Sequence, residues 1–147
     1  MNNSKIKAIL SLFQIRTLRW PDPELSIGKF LSDMEGKNKC WEAEGPAKEA
    51  FERVKPEIKQ LFEERSVEVP SSSFILFDIY MIGETQLTAV PYIMFSCKHR
   101  ESRKKAVTIV EESSVLQKCP LEIRLGDWDY APHVKDPRFL ASSVEEC

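Results

Sequence analysis

The chain has 147 residues, 42% hydrophobic and 30% charged, and its 21 basic and 23 acidic side chains leave a formal charge of −2. That length suits one domain with a real core, and the apolar fraction excludes a wholly disordered chain. Five glycines exclude a collagen-like chain and four cysteines are too few for a disulfide-built miniprotein, while no apolar run reaches the ~18 residues that cross a bilayer. The first element is an amphipathic helix from Ser4 to Ile15, with Ile6, Ile9, Leu10 and Phe13 at helical spacing. It belongs to an N-terminal unit, residues 1–20, ahead of a single domain at 21–147. The unit is basic, through Lys5, Lys7, Arg16 and Arg19, and the first acid is Asp22. A mitochondrial presequence has this character, and so does a helix packed on the body or on a second copy of the chain. The secretory pattern is missing, so the expected compartment is the cytosol, with reduced cysteines.

Trp20-Pro21-Asp22-Pro23 ends that helix. Leu25, Ile27, Phe30 and Leu31 have the spacing of one or two helical turns, Asp33 to Lys39 reads as an exposed loop, and Trp41 anchors its return. Gly45-Pro46 starts a helix over 47–64, because Pro in the first turn forfeits no bond. Ala47, Ala50, Phe51, Val54, Ile58, Leu61 and Phe62 form its apolar stripe, and Pro56 within it predicts a kink or a junction of two helices. Residues 66–73 are a linker.

Residues 74–82 alternate with both faces apolar, as a strand covered on both sides does. Residues 89–97 form a second strand, close enough in sequence for an antiparallel hairpin, with Pro91 at an edge or near its start. A basic helix follows over 102–116. Leu121 to Leu125 alternates as a half-buried strand that Gly126 ends, and residues 127–137 are irregular. The fold is therefore α+β: a small antiparallel or mixed sheet of strands 74–82, 89–97 and 121–125, packed by helices 47–64 and 102–116.

Tyr80-Met81-Ile82-Gly83, Pro91-Tyr92-Ile93-Met94-Phe95-Ser96-Cys97, Arg103-Lys104-Lys105-Ala106 and Leu125-Gly126-Asp127-Trp128 together resemble an uncharacterised domain of filamentous-fungal proteins, over about residues 47–133. That family has a YMIG strand, a PxIxFSC strand, a basic RKKA helix and an LGxW turn. Leu121-Glu122-Ile123 departs from its glycine-containing turn. The resemblance implies a fungal source and a fold unit, often a module of a longer chain, and carries no catalytic assignment.

Five Lys or Arg and His99 fall between Lys98 and Lys105, where a strand end meets a helix start. Helix N-termini expose unpaired N–H groups, so Lys98, His99, Arg100, Arg103 and Lys104 are candidate ligands for a phosphate or carboxylate. The alternative is a solvated basic face balanced by Glu111, Glu112 or the acids at Asp127 to Asp129. These basic positions, in a slightly acidic chain without an RNA-recognition signature, make a poor nucleic-acid interface. Cys97, His99, Cys119 and His133 have zinc-binding chemistry but lack the usual tight pairs. Cys97 with His99 or His133 would make a nucleophile and base only if a third group oriented the base. Asp127 and Asp129, beside Trp128 and Tyr130, are too close in sequence for a glycosidase pair. Trp128 and Tyr130 instead read as a contact surface or as pins for a surface loop. Asp78, inside an apolar strand, either lies at the sheet edge or faces a cation such as Arg103. No glycine-rich phosphate loop or hydrolase motif occurs, and no cofactor or metal is implied.

The function expected is a non-enzymatic binding or protein-interaction module of an intracellular fungal protein, with an anionic ligand at the basic helix start. The alternative is a small enzyme acting on a phosphorylated or carboxylated metabolite. A protein partner or self-association through the N-terminal helix is expected, and membrane contact is not.

Overall fold

The computed structural model describes residues 19–68, 75–119 and 121–132. The helix expected at Ser4 to Ile15, most of the 66–73 linker, His133 and the tail lie outside these residues. Within them are a five-stranded sheet in chain order, β1 Ile27–Asp33, β2 Lys39–Ala43, β3 Leu76–Gly83, β4 Val90–Ser96 and β5 Arg124–Trp128, and two α-helices, α1 Gly45–Glu64 and α2 Arg100–Glu112. The first four strands form an antiparallel meander, and β5 joins β4 in parallel after the α2 crossover. The α+β expectation is met. No described helix is long and apolar enough to cross a membrane.

The hairpin β3–β4 lies where the two apolar runs place it, in register from Leu76 opposite Ser96 to Ile82 opposite Val90. Pro91 is fully buried near the start of β4, one position ahead of the first β5 pair, Tyr92 with Arg124. The helix at 47–64 starts at Gly45 and runs unbroken through Pro56 to Glu64, so there is no junction of two helices.

Four elements differ from expectation. The 25–31 stretch is a short 3-10 turn, Pro23–Ser26, followed by strand β1. Register shifts on both sides of Phe30 change which residues face inward. That slippage imitates helical spacing. The loop at 33–39 is shorter than expected, since β1 reaches Asp33 and β2 begins at Lys39. The last strand lies three residues later than 121–125 and runs through Gly126. A Cβ on Gly126 would stand 2.7 Å from Met94 Sδ, so this glycine lets two strands approach instead of ending one. The basic helix also stops early, at Glu112, where the Ser113 hydroxyl donates to the Val110 carbonyl.

Both helices lie on one sheet face. Phe51, Val54, Ile58 and Phe62 of α1 and Ala106, Ile109 and Val110 of α2 pack with Ile75, Ile79, Ile93, Phe95 and Cys97. Phe62 meets Phe77 and Phe95 edge-on, with centroids 6.0 and 5.7 Å away. The start of α1 is tied down from a distance. Ser26 Oγ accepts the Ala47 N–H, one of the unpaired donors of the first turn, at 3.0 Å and the Trp20 indole N–H at 3.2 Å. The opposite sheet face carries a separate cluster: Cys40, Tyr80, Ile82, Met94 and Ala131, flanked by Leu31, Met34, Tyr92 and Trp128.

Asp78 pairs with Lys48 of α1 at 3.4 Å and not with Arg103. Strand β2 covers only Tyr80 to Gly83 of β3, so Asp78 lies beyond it and Lys48 reaches its carboxylate. The same oxygen accepts the Ile79 N–H at 2.8 Å.

Candidate functional site

The basic junction sits where β4 leaves the sheet. Arg103, in the first turn of α2, turns back toward the strands. Its Nε donates to Asp127 Oδ2 at 2.8 Å, and its Nη1 lies 2.7 Å from Asp129 Oδ1. Nη1 also donates to the Cys97 carbonyl at 3.1 Å. Lys104 Nζ donates to the other Asp127 oxygen at 2.9 Å. The Arg103 and Asp127 side chains are only 12% and 10% exposed. Asp127 faces the helices because it is paired in register with Phe95. A carboxylate there is costly to desolvate, and two cations with hydrogen bonds compensate it.

Among the five candidate ligand residues, Arg103 and Lys104 therefore have acidic partners within the chain. The acidic strand end at Asp127 to Asp129 takes up Arg103 and Lys104. Lys105 approaches Glu68 at 3.8 Å. Lys98, His99 and Arg100 remain exposed at the turn into α2. Lys98 Nζ stands 6.0 Å from the centroid of Tyr130, a residue 36% exposed. The other proposed contact residue, Trp128, is half-buried. Its indole N–H donates to Ser96 Oγ at 2.6 Å and its ring meets Tyr80 edge-on at 4.8 Å. It pins β5 to the second sheet face, and the exposed aromatic is Tyr130.

Cys97 is fully buried against the helix layer, and its sulfur accepts the backbone N–H of His99 at 3.4 Å. The His99 side chain is exposed. Burying the thiol while its neighbour faces solvent is a strand-end arrangement that does not pair Cys97 with His99 as nucleophile and base. Among the described residues no group of three or more His, Cys, Asp or Glu side chains is placed to hold a metal.

A cleft of about 550 Å³ lies at the other end of the sheet, between Arg19, Asn38, Gly83, Glu84, Tyr92 and Arg124. Arg124 is held there by Glu122 at 3.0 Å and by the Tyr92 hydroxyl at 3.3 Å. The hydrogen bond to Tyr92, then that to Glu122, raises the Arg124 pKa. None of Cys97, His99 and Arg100 lines this cleft. Its residues come from scattered parts of the chain, and no local motif announces them. No family model, curated protein or solved structure matches the chain.

Proposed function

We propose that the chain is a non-catalytic binding module of a cytosolic fungal protein, engaging an anionic partner through Lys98, His99, Arg100 and Tyr130. The observation that carries this reading is the exposure of Lys98, His99 and Arg100 on one turn, with Tyr130 beside Lys98, while Arg103 and Lys104 bond inward to Asp127. The first turn of α2 adds its unpaired N–H groups to the same surface. Burial of Cys97 and the remote position of the cleft favour binding over turnover. The fungal source rests on the sequence resemblance, and the cytosolic setting suits the free thiols of Cys40, Cys97 and Cys119.

Inorganic phosphate titrated at constant ionic strength, followed by amide chemical shifts, tests the proposal. Saturable shifts at Lys98, His99 and Arg100, lost in Arg100→Ala, are expected. Shifts that fail to saturate, or that survive in Arg100→Ala, overturn it.

A further inference from the structure

The cleft lined by Arg19, Glu84, Tyr92, Glu122 and Arg124 stands apart from the basic turn and is built on two fixed walls. On one, Glu122 Oε2 accepts from Arg124 Nε at 3.2 Å and from Nη2 at 3.0 Å, and Arg124 Nη1 donates to the Tyr92 hydroxyl at 3.3 Å. The guanidinium carbon lies 5.9 Å from the centre of the Tyr92 ring. These contacts hold the three side chains in one arrangement. On the other wall, Thr85 and Thr88 bond reciprocally, each backbone N–H donating to the other's hydroxyl at 3.2 Å. Gly83 stands at the foot of that turn, where a Cβ would lie 2.6 Å from Ala89 Cα, so the chain returns tightly. Glu84 is carried between Gly83 and the locked turn. Little ordering is left to be done when a ligand arrives, which lowers the cost of binding.

The charges of the lining leave one of each sign unmatched. Arg124 and Glu122 pair with each other. Arg19 and Glu84 are exposed and have no ion-pair partner among the described residues. Both border the same volume of about 550 Å³, a size ordinary for small-ligand clefts. A lone anion entering there meets the open carboxylate of Glu84, and a lone cation meets the open guanidinium of Arg19. A molecule that carries both charges finds a partner for each.

We infer that this cleft is a binding site for a small zwitterion of the amino-acid or short-peptide class. Its carboxylate pairs with Arg19, its ammonium with Glu84, and its apolar part lies against Tyr92. The site is independent of the turn at Lys98 to Arg100, and either can exist without the other.

L-alanine and alanyl-alanine are titrated into the full chain at constant ionic strength and followed by amide chemical shifts. Saturable shifts at Glu84, Tyr92 and Arg124 are expected, with Lys98, His99 and Arg100 unmoved. Binding by either ligand supports the inference, and the tighter of the two sets the ligand's length. The N-acetyl form of that ligand lacks the ammonium, and its amide form lacks the carboxylate. Each is expected to bind about tenfold or more weakly, as the loss of one charge-assisted contact predicts. In Glu84→Gln the penalty for acetylation disappears while the penalty for amidation stays, and in Arg19→Gln the reverse holds.

No saturable shift at the cleft by about 10 mM ligand overturns the inference. So do capped forms that bind as tightly as the free ones, shifts confined to Lys98, His99 and Arg100, or penalties that persist unchanged in both variants. Where a variant loses the dispersed spectrum of the fold, the wild-type comparison decides: preference for the free ligand over both capped forms supports the inference, and equal binding overturns it.

Discussion

Arg103 and Asp127, separated by 24 residues, form a nearly buried ion pair that fastens the crossover helix to the last strand. Arg103→Ala leaves the Asp127 carboxylate with Lys104 alone and loses the bonds to Asp129 and the Cys97 carbonyl. A cost of about 3 kcal/mol is expected in chemical denaturation. Arg103→Lys recovers little of it, because an ammonium does not reproduce the planar fork that meets Asp127, Asp129 and Cys97 together. Lys104→Ala, which removes a more exposed partner, costs less than about 1 kcal/mol.

Ser26→Ala removes the acceptor shared by the Ala47 amide and the Trp20 indole. Two buried donors then lack partners, and a loss of about 1–3 kcal/mol is expected. Faster exchange of the Ala47 amide accompanies it. An unchanged unfolding midpoint contradicts the role assigned to Ser26.

Gly45 has φ of 55°, and a Cβ there would stand 2.5 Å from the Leu25 carbonyl oxygen. Gly45→Ala therefore combines left-handed backbone strain with a backbone clash. Destabilisation of more than about 1 kcal/mol is expected from thermal unfolding.

Pro56 is exposed within an unbroken helix and cannot donate to the Glu52 carbonyl. Pro56→Ala restores that donor without disturbing the buried stripe. A gain of about 1 kcal/mol or more is expected, read as a higher melting temperature.

Alkali destabilises the fold. Burial raises the Cys40 thiol from 9.0 to about 12 and raises the Tyr80 phenol as well, with Asp78, Cys40 and Glu42 adding to the latter. Both groups hold their protons more tightly folded than unfolded. Their stabilising contribution is complete below pH 9.0, the ordinary thiol value, and shrinks as pH rises toward about 12. The slope approaches 1.4 kcal/mol per pH unit for each group, as an order of magnitude. Tyr80→Phe removes the phenol's share, so its stability relative to wild type improves above about pH 10. Denaturant titrations at pH 8, 10 and 11 (set by the ordinary thiol and phenol values) measure this.

The parts of the fold legible in the sequence are those whose pattern survives without partners. The β3–β4 hairpin consists of two long apolar runs, and α1 declares itself through Phe51, Val54, Ile58 and Phe62. Strand β1 hides because its bulges around Phe30 break the period of two. Strand β5 is displaced because alternation continues on both sides of Leu125, and only pairing with β4 selects Arg124 to Trp128. The basic run at Lys98 to Lys105 is visible as charge, and the acidic stretch at Asp127 to Asp129 as its possible counterweight. Which cations bend inward depends on height along α2: Arg103 and Lys104 stand beside Asp127 of β5, whereas Arg100, one turn earlier on the same helix face, stays exposed. Ser26, 21 residues from the amide it caps, has no local signature.

The order of pairing carries a consequence for synthesis of the chain. Neighbours from β1 to β4 are consecutive along the polypeptide, so each ribbon can seal onto the previous one as it emerges from the ribosome. The fifth arrives only after the α2 crossover has closed a long loop, an entropic cost paid late. A nascent chain halted before Asp127 has also yet to neutralise Arg103, so the final step of folding sets both the last ladder and its electrostatic latch.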